Sequence, residues 1–449
     1  MTVEQAIDYV YASYLKAEPH LEYNAEDSRK RNPAFSKEII QKLAQTHIPT
    51  VLVTGSKGKG SASKMIAEIL GVHGKTGLMT SPHIWQFNER IQIQGEAVSN
   101  EKLASAIAKV KPAFDQMEAG LLPEEYISPM GIQAAAALAI FGEENVRFQV
   151  MECGKGVAYD DVNNVPHQYA VVNRIFLEHT RELGNTLEKI AENKSAIISG
   201  EQKAVFVSEQ EPEVMAILKN RACEMQVPFY QYGKDFRAEN IIYTEKGMCF
   251  DVVTRRMCYT GIQIPLLGTY QAKNCALAIA LCEEMQGKLN EADMKKELQN
   301  LEWPGRLEVL SSDPLMLLDA CIHRGSCDNV LEALQQLNKE KVITIIGIPA
   351  DKDYLGVAQA MHSVSEKIIL TKSQNAHYKF GPEQVENLQQ YGIQAAWTES
   401  IAEAMEKARE YVQAYEKYDI PICILGTTSL ISDVKVMAAT PMLLPEMET

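Results

Sequence analysis

Lys59 and Ser61 stand in the run Thr54-Gly55-Ser56-Lys57-Gly58-Lys59-Gly60-Ser61. These residue types suit phosphate chemistry. Glycines let the backbone approach phosphate oxygens, a lysine can hold the outer phosphates, and a serine hydroxyl can sit on Mg²⁺. Such a loop works only between the right elements. Before it, the β-branched run Val51–Thr54 reads as a buried parallel strand. After it, Ser63–Leu70 carries Met65, Ile66, Ile69 and Leu70 at helical spacing. That helix would aim free N–H groups and the positive end of its dipole at the phosphates. The spacing departs from the standard pattern, which wants a further glycine ahead of the Gly58-Lys59 pair at a position where this chain has none. The bland alternative is a glycine-rich turn with two solvated lysines; the flanking strand and helix weigh against it.

Four further groups could do chemistry. Thr80-Ser81-Pro82-His83 ends the next strand, at the edge where α/β sheets hold ligands, with Asn88, Glu89 and Arg90 following. Alone it is an ordinary polar loop. Glu152 ends an apolar strand and is either a Mg²⁺ ligand or a solvated strand-end acid. Glu178-His179-Thr180 follows another strand; a lone histidine is more often structural than a ligand. Lys194, in a helix starting near Thr186, reads by itself as a surface lysine. Arg306 follows Pro304-Gly305, and Asp319 ends a later strand, where an acid can bind a ribose and an arginine a phosphate.

Stepping along all 449 residues, two domains are expected from length alone. The net charge of −15 argues against a nucleic-acid surface, and no apolar run reaches membrane-span length. The N-terminus lacks a basic, apolar signal peptide, and nine scattered cysteines without a Cys-x-x-Cys pair read as reduced core residues of a cytoplasmic protein. Helices are expected over Val3–Leu15 and Ser36–Leu43, with Glu18–Asn32 a loop. Strands are expected at Thr76–Met79, Arg147–Met151, Ala170–Ile175, Ala204–Val207 and Phe229–Tyr232, with helices at Asn100–Met117 and Gly131–Phe141 between them. This alternation predicts an α/β fold, a doubly wound, mostly parallel sheet. Met248–Val253 and Met257–Ile262 read as a small antiparallel addition, followed by helices Tyr270–Met285 and Ala292–Leu301. Trp303–Arg306 is the candidate hinge between a domain of residues 1–302 and a smaller α/β domain of residues 307–449. The strands of that second domain are Leu315–Asp319, Val342–Ile346, Lys367–Leu370, Ala395–Thr398 and Pro421–Leu425, and Leu444–Thr449 is expected to fray.

Taken in order, VTGSKGKGS, TGLMTSPHIWQFNERIQIQGE, VMECGKGVAYDDVNNV, LEHTRELGNTLEKIAENKSAIISG, LLGTYQAKN, WPGRLEV and LLDA resemble the folylpolyglutamate synthase/dihydrofolate synthase branch of the Mur ligase superfamily. The resemblance spans nearly the whole chain. It implies an ATP-binding P-loop-type N-terminal domain and a Rossmann-like C-terminal domain. It also implies ATP and two Mg²⁺ sites, with Gly55, Gly58, Lys59, Gly60 and Ser61 gripping ATP phosphates and Asn274, Arg306 and Asp319 contacting nucleotide. Ser61, Ser81 and Glu152 would serve the first Mg²⁺, and His179 the second. Lys194 falls at the lysine often carbamylated in the superfamily, which would turn it into a support for that second ion. Catalysis would rest on Lys59, His179 and Lys194, and Pro82, His83 and Arg90 would belong to a loop near a pterin-bearing substrate.

The activity implied is an ATP-dependent acid–amino acid ligase that joins L-glutamate to a reduced folate or pteroate through an acyl phosphate. It would act as a cytoplasmic monomer with small-molecule partners, no nucleic acid and no membrane. The departures are Ser56-Lys57 for the family's Thr-Asn, Gly156-Val157 for a glycine pair, Glu178 for Asp, and Asp319-Ala320-Cys321-Ile322-His323-Arg324 for Asp-Gly-Ala-His-Asn-Pro. The last leaves open a paralogue acting on another acid. A nucleotide-binding protein without catalysis is the alternative of another class; retention of Glu152, His179 and Lys194 argues against it.

Overall fold

The computed structural model describes residues 1–22, 25–375, 378–415 and 420–439. The fraying expected for Leu444–Thr449 lies outside the described residues.

The first sheet has eight strands: β1 (Thr50–Thr54), β2 (Thr76–Met79), β3 (Ile91–Ile93), β4 (Glu96–Ala97), β5 (Phe148–Glu152), β6 (Tyr169–Val172), β7 (Ala204–Val207) and β8 (Phe229–Gln231). Their order is β4-β3-β2-β5-β1-β6-β7-β8. β1 runs parallel between β5 and β6, and only β3 and β4 are antiparallel to their neighbours. Every residue of β1, β2, β5, β6 and β7 is buried. Burial on both faces explains why these strands read as unbroken apolar runs. The helices between them carry caps written in the sequence. Ser99 accepts from Lys102 N–H at the start of helix Asn100–Glu118, and Ser128 precedes Pro129 in the first turn of Pro129–Glu143.

β9 (Arg237–Thr244), β10 (Gly247–Val253) and β11 (Cys258–Ile264) form a small sheet of order β11-β10-β9. The last sheet contains β12 (Arg306–Ser312), β13 (Leu315–Asp319), β14 (Val342–Gly347), β15 (Ser365–Leu370), β16 (Ala395–Trp397) and β17 (Ile422–Gly426). Its order is β12-β13-β17-β14-β15-β16, parallel except for β12. The described chain groups into two compact units. One comprises residues 1–239, 251–260 and 273–298; the other comprises 240–250, 261–272 and 299–449.

Some expectations need correction. The strand expected over Ala170–Ile175 ends at Val172, because Asn173 turns its side chain toward the glycine loop. Glu18–Asn32 is not all loop: Glu18–His20 is a 3-10 turn holding Pro19, and Asp27–Lys30 is a helical turn. The short β3 and β4 and the partly exposed β9 and β12 were invisible to pattern, since none has an apolar face long enough to read. The cysteines are free, but Cys223 and Cys258 are exposed and Cys249 is partly so; they are not all core residues.

Candidate active site

The loop after β1 is bent by glycine. Gly55 and Gly58 have φ of +142° and +79°, the second in the left-handed region. A Cβ on Gly55 would lie 2.8 Å from Asn173 Cβ, and one on Gly58 2.6 Å from Asn173 Nδ2. Asn173 in turn donates to Asn274 Oδ1 at 2.9 Å, so two side chains from distant segments buttress one loop. Ser56 fastens its other side: its hydroxyl donates to Phe176 O and accepts from Phe176 N–H, each at 3.1 Å. Helix Lys59–Gly71 starts directly on Gly58, with no side chain capping its first N–H groups. That leaves a concentration of backbone donors suited to an anion. Lys59 folds back so that Nζ donates to Gly55 O at 3.1 Å, and Ser61 is buried in the first turn.

Beside this loop, parallel pairing sets Val53 of β1 opposite Glu152 of β5. Glu152 is 3 % exposed. Its Oε2 accepts from the Thr80 hydroxyl and, at 3.1 Å, from Ser81 N–H. Taken alone, this position read as a solvated strand-end acid; the sheet instead buries it against the end of β2.

Lys194 is likewise no surface lysine. It is fully buried, and its Nζ donates to Gly55 O at 3.0 Å and Lys155 O at 2.6 Å, with Glu178 Oε1 at 3.3 Å. Burial, and then the nearby Lys59, bring its pKa down from 10.5 to about 8. Glu178 Oε1 is buried and has no hydrogen bond of its own. His179 has a left-handed φ of +46°, and its ring stays 46 % exposed, 3.9 Å from Glu178. Its pKa is lowered, chiefly by burial, which favours the neutral ring.

A third arrangement lies past β2. Arg90 Nε donates to His83 Nδ1 at 2.9 Å, and Nη1 donates to Gln133 Oε1 at 3.1 Å. Gln133 returns to this strand end by donating to Thr80 O at 3.2 Å. Pro82 is exposed beside them. In the other unit, Arg306 and Asp319 face each other across β12 and β13, and Asp319 Oδ2 accepts from Leu307 N–H at 2.8 Å. Tyr270 is half-buried near both, its phenol pushed up by desolvation and then by Asp319.

Thus Gly55, Gly58, Lys59, Ser61, Ser81, Glu152, Lys194 and Asn274 gather at the carboxyl ends of β1, β2, β5 and β6. His179 stands at their rim. Sequence reasoning passed over Asn173 and Gln133, and named Thr80 only as part of the polar loop after β2. Asn173 had one signal: it is the first polar residue after the buried run Ala170–Val172.

The donor set fits Mg²⁺ in chemistry. Ser61, Thr80, Ser81 and Glu152 offer oxygen, and Glu178 adds a buried carboxylate oxygen held against Lys194. Among the described residues no cluster of three or more His, Cys, Asp or Glu could hold a metal by itself. This suits an ion held by one or two carboxylates together with substrate phosphates.

Comparisons with known proteins converge. The model of the Mur ligase middle domain matches residues 53–282, and that of the Mur ligase glutamate ligase domain matches residues 305–420. Folylpolyglutamate synthase of Lacticaseibacillus casei is 27 % identical over 393 residues, spanning 85 % of this chain and 88 % of that protein. Dihydrofolate synthase/folylpolyglutamate synthase of Bacillus subtilis (strain 168) is 29 % identical over 348 residues, spanning 74 % and 79 %. The fold is similar to that of Mycobacterium tuberculosis folylpolyglutamate synthase complexed with ADP and AMPPCP (TM-score 0.81, 22 % identity, 96 % of this chain and 99 % of that one). It is also similar to the apo form of the L. casei enzyme (TM-score 0.78, 23 % identity, 97 % and 99 %). No described helix is long and apolar enough to cross a membrane.

Proposed function

The chain belongs to the Mur ligase family, and from that premise we propose that it is an ATP-dependent ligase joining L-glutamate to the carboxylate of a reduced folate or pteroate. One observation carries the reading: a glycine loop bearing Lys59 and Ser61 packs beside a buried Glu152 and a buried Lys194, in a chain whose curated relatives are folylpolyglutamate synthases. The substrate carboxylate attacks the γ-phosphate of ATP, and ADP leaves. The amino group of glutamate then attacks the acyl phosphate, and phosphate leaves as the amide forms. Lys59 and the N–H groups of its helix hold the transferring phosphoryl group, so the protein contributes positioning and charge neutralisation. Glu152, Ser61 and Ser81 would hold one Mg²⁺ and His179 and Lys194 a second; when bound, these ions neutralise phosphate charge.

Lys194 is carbamylated in this reading. At pH 7 a pKa of about 8 leaves roughly a tenth of the amine neutral and able to take up CO₂. As an ammonium it is matched to the carbonyls of Gly55 and Lys155; as a carbamate it must turn away from those acceptors. Gly60 completes the loop, and Asn274, Arg306 and Asp319 contact nucleotide. By function, residues 1–302 form the ATP-binding domain, 303–306 the hinge and 307–449 the ligase domain, a division that differs from the compact units in residues 240–250, 261–272 and 299–302. The protein works as a cytoplasmic monomer.

A second reading, the same chemistry on another acid, is favoured by one feature. The stretch Ala320-Cys321-Ile322-His323-Arg324 departs from the family motif, and a buried Cys321 stands at the motif's alanine. Glutamate-dependent ADP release with reduced folate monoglutamate, with dihydropteroate and with unrelated acids decides between them. Release with an unrelated acid alone would replace the folate assignment. ADP release that never requires L-glutamate would end both readings.

A further inference from the structure

Cys321 and Cys327 place their sulfurs 3.5 Å apart. Cys321 lies in the loop after β13, and Cys327 in the first turn of helix Arg324–Gln336. Both are fully buried, whereas Arg324 and Gly325 between them are exposed. Cys321 Sγ also donates to His323 O at 3.6 Å, and the His323 ring meets Ser326 Oγ at 3.0 Å. Loop and helix turn are therefore already folded around the sulfur pair.

We propose that Cys321 and Cys327 are a redox modification site, closing to a reversible intrachain disulfide with a peroxide as oxidant. The sulfurs must approach by about 1.5 Å to reach bonding distance. Fraying of the loop and first helix turn, a local event, admits a molecule as small as hydrogen peroxide. One thiolate attacks a peroxide oxygen; the O–O bond breaks, giving a sulfenic acid and, after protonation, water. The second thiolate attacks the sulfenic sulfur and expels hydroxide, which is protonated to water. Two thiols lose two electrons and two protons, and one peroxide becomes two waters. The contraction falls on a loop that starts one residue after Asp319, whose carboxylate fixes the Leu307 N–H. The disulfide thereby alters the end of β13, and with it, resting on the ligase reading above, the turnover of ATP.

The test treats the full chain with hydrogen peroxide, traps free thiols in denaturant and maps peptides by mass. The expected product is one cross-link between the peptides of Cys321 and Cys327, two hydrogens lighter and reversed by dithiothreitol. Hydrogen exchange of amides 320–328 slows in the oxidised form. Cys321→Ser and Cys327→Ala, each checked for fold by circular dichroism, lose both effects. The exposed Cys223 and Cys258 report the oxidant dose. Free thiols at 321 and 327 once those two are oxidised would overturn the site, as would a cross-link to Cys423 or stepwise oxidation to sulfinic acid. ADP release should fall severalfold on oxidation and recover on reduction in the wild type alone; a cross-linked protein with unchanged release would overturn the effect on turnover while leaving the site.

Discussion

Raising the pH should stabilise the wild-type chain relative to Lys194→Met. The folded-state pKa of Lys194 is lowered from 10.5 to about 8, chiefly because the ammonium is buried. Below pH 8 both folded and unfolded chains carry the proton, and the folded state bears the full cost of the buried charge. Between pH 8 and 10.5 the unfolded chain binds more protons, so stability rises with pH. Above 10.5 neither state is protonated and the cost is gone. At 1.36 kcal/mol per unit, the 2.5-unit difference amounts to about 3 kcal/mol. Methionine keeps the bulk and removes the titration; its loss of the Glu178 partner is a constant offset over this range. The assay is calorimetric unfolding of both proteins in CO₂-depleted buffer from pH 7 to pH 10.5. At roughly 2–4 °C per kcal/mol for a unit of this size, the Tm of the wild type should gain roughly 6–12 °C on that of the variant. Parallel Tm curves would mean that Lys194 keeps an ordinary pKa and is not held as a buried ammonium. Adding bicarbonate at pH 8 then asks whether the neutral fraction takes up CO₂, read as a mass increase on the peptide holding Lys194.

Lys59→Ala should abolish ADP release and leave the circular dichroism spectrum unchanged; an unaltered rate and ATP affinity would remove the phosphate-loop assignment. Glu152→Gln and His179→Ala should each raise the Mg²⁺ needed for half-maximal activity or eliminate activity, and normal magnesium titrations for both would refute their role. Gly58→Ala should cost about 1 kcal/mol or more, because φ is +79° and the added Cβ meets Asn173 Nδ2 at 2.6 Å. It should also weaken ATP binding, and a variant with wild-type Tm and affinity would show that the loop relaxes freely.

The sheet was legible where strands are buried on both faces. Thr76–Met79, Ala204–Val207 and Leu315–Asp319 have the expected ends, since their apolar runs stop abruptly at polar or turn residues. Strands with partly exposed faces, such as β9, leave no such edge. Within the site, types and spacing pointed to Lys59 and Ser61, and only the family resemblance to Glu152. The burial of Lys194 was not legible, because Glu192-Asn193-Lys194-Ser195 reads as a polar helix end. Only the fold brings Gly55 O and Lys155 O against it, across 139 and 39 residues of chain. Asn173 escaped for the same reason: its partner Asn274 is 101 residues away.

The interleaving of the two compact units bears on how the chain matures during synthesis. The unit holding the phosphate loop is not complete at residue 239; it also needs residues 251–260 and 273–298. Asn274, which buttresses Asn173 and thereby Gly58, arrives with the last of these. A nascent chain that has released its first 239 residues holds the loop sequence without its brace. Domains often fold as units while the ribosome works, but this one must wait for segments translated after part of its neighbour. Fragments ending before residue 274 should therefore bind nucleotide poorly however well their sheet forms. Supplying the missing helix as a separate peptide is the natural way to try to restore them.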